Sequence, residues 1–447
     1  MIRAGSESGL LATDLYQLTM LDAYRQSGMT GRATFEFFFR RLPPTRGFLM
    51  AAGLADLLER LEGARFSGQE LDWLRRSGRF PDDTIDWLAD WRFTGDVDAV
   101  PEGTLVFAEQ PVVRVDAPIV QAQLIETLVI SQLHFQTLIA SKAARMVLAA
   151  PDKLLIDFGL RRAHSLESGL YAARAAWLAG FAGTATALAG MRYGIPVHGT
   201  MAHSFVQAHD SEEQAFRHFA QARPSDTTLL IDTYDTEVAA RIVVGMTGWL
   251  RERGIRVRGV RIDSGDLEAH ARQVRRILDD GGLSEVRIVA SGGLDEWKLG
   301  ALVAAGAPID SFGVGTSLTT SEDDPALDCG YKLVSYAGKP RRKRSEGKTL
   351  WPGAKQVFRR FGGNGRLVGD VLGLADEDID GEALLRPVMR NGLRLPQPDL
   401  AASRERAAQS LAQLPDALRA LDGPYAYSVE VSQGLQRLAA ELAAQGH

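Results

Sequence analysis

Short apolar runs recur through the middle of the chain, and each stops at residues able to hold charge or phosphate. They read L-L-I-D-F-G-L-R-R (154–162), P-V-H-G-T-M-A-H (196–203), L-L-I-D-T-Y-D-T (229–236), V-R-I-D-S-G-D (260–266), I-V-A-S-G-G (288–293) and F-G-V-G-T-S (312–317). Stretches with helical apolar spacing separate most of them. Measured between Gly159, Gly199, Asp232, Asp263, Gly292 and Gly315, the spacings are 40, 33, 31, 29 and 23 residues. One strand–helix repeat of a closed (β/α) barrel takes about 30 residues. The pattern therefore predicts an α/β barrel whose strand ends gather on one face. Clusters distant in sequence then meet in one mouth, as an enzyme requires.

The flanks follow other periods. Residues 14–28 read as an amphipathic helix, capped by Asp14 or Thr13 and closed by Gly28. A-T-F-E-F-F-F-R-R-L-P (33–43) reads as a strand stopped by Pro43 and Pro44. Two short helices are expected near 53–62 and 68–76. The run 97–118 alternates with period two around a Pro-Glu-Gly turn, which predicts antiparallel hairpins. Helices fill 119–150, and short strands return near 387–394 before alanine-rich helices. The predicted plan has residues 1–118 as the start of an α+β domain, 119–150 as connecting helices, 151–345 as the catalytic barrel, and 346–447 completing the first domain. That first domain is thus discontinuous, built from both chain ends.

Composition narrows the class. The chain has 447 residues, 45% hydrophobic and 24% charged, with a formal charge of −5. Such values suit a globular protein and give no global attraction to nucleic acid or anionic membrane. The single cysteine, Cys329, excludes an internal disulfide framework and a cysteine-built zinc site. A reducing, cytoplasmic setting is expected. No signal-like apolar run opens the sequence, and no stretch reaches the ~18 apolar residues of a membrane span.

Several strand ends carry candidate chemistry. S-G-G-L-D-E-W (291–297) and G-V-G-T-S (313–317) follow consecutive late strands, where barrels commonly hold phosphate. Gly292, Gly293, Gly313, Gly315 and Thr316 either form tight turns only or bring backbone amides up to an anion. Two such loops in succession favour the anion. His203 is expected to face the mouth beside Asp232, whose carboxylate would fix the imidazole tautomer. His198 reads as strand-lining, and His209 and His218 as helix residues without special role. In R-I-D-S-G-D-L (261–267), Asp263 and Ser264 are either helix caps or ligands, with Arg261 beside an anion. Phe158 and Arg161 suit a planar carboxylate. The basic run K-P-R-R-K-R-S-E-G-K (339–348) reads as a phosphate-binding loop; a polynucleotide surface is disfavoured by the overall acidity.

T-D-L-Y-Q-L-T-M (13–20), taken with F-E-F-F-F-R-R-L-P, D-F-G-L-R-R, G-T-M-A-H-S-F, I-D-T-Y-D-T, V-R-I-D-S-G-D, G-V-G-T-S and the basic run, resembles nicotinate phosphoribosyltransferases. The resemblance extends from about residue 9 to the last helix. It implies an irregular (β/α) barrel of the type II phosphoribosyltransferase kind. It implies that nicotinate and phosphoribosyl pyrophosphate give nicotinate mononucleotide and pyrophosphate, with Mg2+ and coupled ATP hydrolysis. His203 matches the histidine phosphorylated by ATP, with Asp232 orienting it. Tyr16 of the partner subunit of a homodimer and Phe158 would sandwich the pyridine ring, with Arg161 and Arg261 beside it. Ser264, Gly292, Gly293, Gly313, Gly315 and Thr316 would bind the phosphoribosyl part. Arg40 and Lys343 would add phosphate contacts, and Asp263 would serve ribose or magnesium pyrophosphate.

In the related nicotinamide enzymes an aspartate accepts the amide N–H; the matching position here is Ala185, which favours the acid. Quinolinate phosphoribosyltransferases are shorter and lack the phosphohistidine motif. S-G-G at 291–293 departs from the Ser-Asn or Gly-Asp of many relatives, which bears on the phosphate contacts. The alternatives are a nicotinamide enzyme or a catalytically silent ligand-binding relative.

Overall fold

The structure is a computed structural model and describes residues 9–343 and 350–445. The chain forms two compact units, Met1–Ser141 with Ala326–His447, and Lys142–Pro325.

The first unit is built from both chain segments around a seven-stranded sheet. Its order is Lys339–Pro340, Cys329–Tyr336, Arg32–Phe39, Pro111–Pro118, Asp96–Ala99, Arg386–Arg390, Leu393–Arg394, and neighbours pair antiparallel. Arg32–Phe39 is a central strand, buried along nearly its whole length, which explains its unbroken phenylalanines. Phe35 stacks on Tyr331 at 4.9 Å, and Phe37 meets Phe39 edge-on. The buried Glu36 carboxylate is paired with Lys355 at 2.7 Å. A four-stranded sheet (Glu382–Ala383, Lys355–Phe361, Leu367–Leu374, Val429–Val431) completes the unit. The pairing of Cys329–Tyr336 with Arg32–Phe39 places residues after Pro325 in this unit. The barrel domain expected over 151–345 therefore runs past the end of the second unit. The short helix Asp82–Ala89 was not anticipated.

The second unit is the expected irregular α/β barrel body, its six parallel strands forming a curled half-barrel sheet. The strand order is Gly183–Thr184, Leu154–Asp157, Ser311–Val314, Arg287–Ser291, Val257–Ile262, Thr227–Leu230. The strand expected at 196–203 is reduced to one bridge between Thr184 and Val197. Its neighbour, Gly183–Thr184, lacks the apolar run that marks the other strands. A Cβ at Gly183 would lie 2.4 Å from the His198 ring, so the close approach of these two segments requires glycine. Helices alternate with the strands, and Ser165, Ser211, Asp235, Asp266 and Asp295 cap them through the backbone amide three residues on. Among the described residues no helix is long and apolar enough to cross a membrane.

Candidate functional site

Parallel pairing puts every strand's carboxyl end at the same edge of the sheet, and the register sets which loops are neighbours. Asp157 pairs with Val314, Ser291 with Gly313, Ala290 with Ile262, and Leu230 with Arg261. The residues that follow lie side by side along one rim: Phe158, then Gly315–Thr316, Gly292–Gly293, Asp263–Ser264 and Asp232–Thr233. Residues from five separated stretches of sequence are thus brought to one place.

The ring of Phe158 lies on Gly313, where a Cβ would come within 2.4 Å of Cδ2. Gly313 is buried and seats the ring. The Arg261 guanidinium stands over the same ring, 5.9 Å from its centroid. Its Nη1 donates to Thr200 Oγ1 at 2.6 Å, while the buried Nε has no partner. Burial holds the Arg261 guanidinium below its ordinary pKa; Asp263 and Asp232 oppose that, and Arg161 adds to it. Arg161 itself is exposed in the short turn Leu160–Arg162. Asp157 anchors this side: its buried carboxylate accepts from the Gly159 amide (2.8 Å) and the Thr184 hydroxyl (2.7 Å). Burial raises its pKa.

Asp263 is the hub of the opposite side. Its amide donates to Asp232 Oδ2 at 2.9 Å, and the Ser264 hydroxyl donates to the same oxygen at 2.6 Å. The Ser291 hydroxyl donates to Asp263 Oδ1. Asp263 Oδ2 stands 3.8 Å from Nε2 of His203, both side chains a little over one-third exposed. His203 opens the helix His203–Gln207, and its Nδ1 meets Thr233 Oγ1 at 3.2 Å. The group on the imidazole is therefore Thr233 and not the adjacent Asp232, which is committed to the 263–264 loop. Asp232 Oδ1 is buried without a partner. The helix cap in this loop is Asp266, so Asp263 and Ser264 are not needed as caps.

Gly292 (φ +95°) and Gly293 (φ +59°) are exposed and turn the chain sharply after the Arg287–Ser291 strand. Among the described residues no acceptor takes the amides of Gly292, Gly293 or Leu294. Successive free amides at such a turn make an anion-binding nest. Gly315 and Thr316 open the short helix Thr316–Thr319 beside it.

Three predicted residues belong to the first unit. Tyr16 lies on the helix Leu15–Gln26, nearly half exposed, its phenol pushed up by burial and by Glu126. Arg40 donates to Asp328 Oδ1 (2.7 Å) and the Cys329 carbonyl (2.9 Å). Lys343 is exposed, and positions 344–348 of the basic run fall outside the described residues. Thr200, Thr233 and Ser291 lie inside the quoted motifs without having been given a role, and Lys298 lies just beyond one of them. Among the described residues no group of three or more His, Cys, Asp or Glu side chains could hold a metal ion.

Sequence models for the nicotinate phosphoribosyltransferase N-terminal domain, family and C-terminal domain match residues 11–134, 154–342 and 378–439. The chain is 50% identical over 442 residues to nicotinate phosphoribosyltransferase pncB2 of Mycobacterium tuberculosis, covering 98% of this chain and 94% of that protein. It is 40% identical to the nicotinate phosphoribosyltransferase of Bacillus subtilis over 84% of this chain and 78% of that one. The crystal structure of human nicotinic acid phosphoribosyltransferase superposes with a TM-score of 0.87 at 30% identity, covering 96% of this chain and 99% of that chain. The chain belongs to the nicotinate phosphoribosyltransferase family.

Proposed function

We propose that the rim of the 142–325 unit joins nicotinate to the phosphoribosyl group of phosphoribosyl pyrophosphate, giving nicotinate mononucleotide and pyrophosphate as a step of NAD salvage. The observation that carries this reading is the parallel register. It sets an aromatic platform with a guanidinium (Phe158, Arg261) beside a carboxylate cluster (Asp232, Asp263) and a nest of free amides (Gly292, Gly293).

The ring of nicotinate rests on Phe158, and Arg261 with Arg161 faces its carboxylate. Burial strengthens that attraction, because the Arg261 charge is poorly solvated. Ala185, whose amide donates to the Asp157 carbonyl at 2.7 Å, puts no carboxylate against an acid substrate. The ring nitrogen attacks C1 of the ribose as the C1–O bond to pyrophosphate breaks. The ribose becomes oxocarbenium-like, so the protein's part is to position the nitrogen and to stabilise charge as it develops. Asp263, fixed by Asp232 and Ser291, is placed for the ribose hydroxyls. The 5-phosphate falls to the amides of 292–294 and to Gly315–Thr316.

Mg2+ prefers one or two carboxylates together with substrate phosphates and water. Asp263 and Asp232, whose buried Oδ1 lacks a partner, fit that requirement jointly with pyrophosphate. The ion would supply charge neutralisation for the leaving group. ATP coupling is read through His203: its imidazole takes the γ-phosphoryl group and ADP leaves, and the phosphorylated ring adds negative charge and acceptors at the rim. Thr233 sets the tautomer that reacts. In the proposed homodimer, Tyr16 of the partner subunit covers the other face of the pyridine ring.

The test assays mononucleotide formation from nicotinate and from nicotinamide, each with and without ATP, then seeks acid-labile phosphate on His203. Turnover of nicotinate stimulated by ATP, lost in His203→Ala, is expected. Preference for nicotinamide, or full ATP stimulation in His203→Ala, would overturn the respective part.

A further inference from the structure

The amide nest after the Arg287–Ser291 strand is neutral, and a phosphate dianion placed there needs a counter-charge. Lys298 lies in the first turn of the next helix, Glu296–Ala304, and its Nζ donates to the carbonyl of Gly293 at 2.5 Å. One of its three N–H bonds is thus spent on the nest's own backbone. That bond turns the Gly293 carbonyl dipole to the ammonium and leaves two N–H bonds for an anion. A Cβ built on Gly293 would lie 3.5 Å from this nitrogen, so the ammonium and the loop share one space.

The helix that presents Lys298 is held firmly. The Asp295 carboxylate accepts from the Lys298 amide at 2.8 Å. The neighbouring Glu296 is fully buried and pairs with Lys142 (2.6 Å) and Arg145 (3.1 Å). Lys142 also pairs with Asp323 at 2.8 Å. A flexible surface lysine is thereby tethered at both ends, by its backbone cap and by its ammonium. Tethering lowers the entropy lost when it engages a ligand.

We propose that Lys298 is a substrate-binding residue that supplies the positive charge for the 5-phosphate of the phosphoribosyl substrate. This rests on the reading that the 292–294 loop cradles that phosphate. The leaving pyrophosphate, by contrast, belongs with Asp263 and Asp232 on the neighbouring strands.

The full-length protein and its Lys298→Met and Lys298→Arg variants would be titrated calorimetrically with ribose 5-phosphate and, separately, with magnesium pyrophosphate. A charge-assisted hydrogen bond corresponds to about a 10- to 100-fold change in affinity. Lys298→Met should weaken ribose 5-phosphate by that factor and leave pyrophosphate unchanged, and Lys298→Arg should recover most of the loss. The KM for phosphoribosyl pyrophosphate should rise while that for nicotinate stays constant. The melting temperature, which a purely structural role would lower, should not move. Equal ribose 5-phosphate affinity in Lys298→Met and wild type would overturn the inference alone. So would a loss confined to pyrophosphate. A wild type that does not bind ribose 5-phosphate would overturn the cradle reading as well.

Discussion

Gly313→Ala separates two roles for one glycine. The missing side chain is where the Phe158 ring sits: a Cβ would meet Cδ2 at 2.4 Å and Cε2 at 2.5 Å, against 3.4 Å or more for an ordinary contact. Either the ring or the strand must give way by about 1 Å, and the ring, as a side chain, moves first. Overpacking of this kind costs about 1–3 kcal/mol. With roughly 2–4 °C lost per kcal/mol in a unit of this size, the melting temperature should fall by about 2–12 °C. The kinetic consequence is specific. Displacing the ring disturbs its partner Arg261 and the seat of the pyridine, and a 1 Å misplacement can cost roughly 100-fold. Steady-state kinetics should show kcat/KM for nicotinate reduced by about 10- to 100-fold, with the KM for phosphoribosyl pyrophosphate near that of wild type. A raised KM for phosphoribosyl pyrophosphate with normal nicotinate kinetics would refute the platform role and restore Gly313 to phosphate binding. Unchanged kinetics on both substrates would refute the claim that the ring matters.

Three further outcomes follow from the same geometry. Thr233→Val removes the hydroxyl on His203 Nδ1 and should lower ATP-stimulated turnover about tenfold at an unchanged melting temperature; full stimulation would show that Thr233 does not set the reactive tautomer. Glu296→Ala removes the carboxylate that Lys142 and Arg145 share in the interior; removing one partner of a buried pair costs about 3–5 kcal/mol, softened here because Lys142 keeps Asp323, and a thermal melt within 2 °C of wild type, on the order of a 1 kcal/mol change, would contradict it. His134 is half-buried, its Nε2 accepts from the Leu327 amide at 2.8 Å, and desolvation lowers its pKa. The unfolded chain therefore binds this proton more readily than the folded one, so stability is full above the ordinary imidazole pKa of ~6.5 and is lost as pH falls through it. Melting temperatures from pH 8 to 5 should fall more for wild type than for His134→Gln, and parallel curves would exclude this residue as the source.

The readable part of the fold was the part where one periodicity dominates. Buried parallel strands such as Leu229–Leu230 and Ile288–Ala290 announce themselves as short apolar runs, and what ends each run lies at the rim because all the strands point one way. The Phe-rich strand 32–39 was legible for a similar reason. Gly183–Thr184 was not, because two residues pairing through a glycine leave no hydrophobic trace. The second unit's end was misplaced because Cys329–Tyr336 has a strand pattern like the rest, and only its pairing with Arg32–Phe39 shows which sheet it joins. At the site, residue types at strand ends were recoverable, but partners were not. Thr233 rather than Asp232 meets His203 because Asp232 is drawn to the amide of the next loop, a choice between adjacent residues that spacing does not encode. Lys298 was invisible because a lysine on a helix carries no signal until its ammonium is seen on the Gly293 carbonyl.

If one rim of the 142–325 unit holds both substrates, a crystal structure of the protein with nicotinate mononucleotide will show it there. The pyridine ring should lie against Phe158 with its carboxylate toward Arg261, and the phosphate should accept from the amides of Gly292 and Gly293. Mononucleotide bound away from these loops, or its phosphate on Phe158's side with the ring over the glycines, would overturn this assignment of the rim.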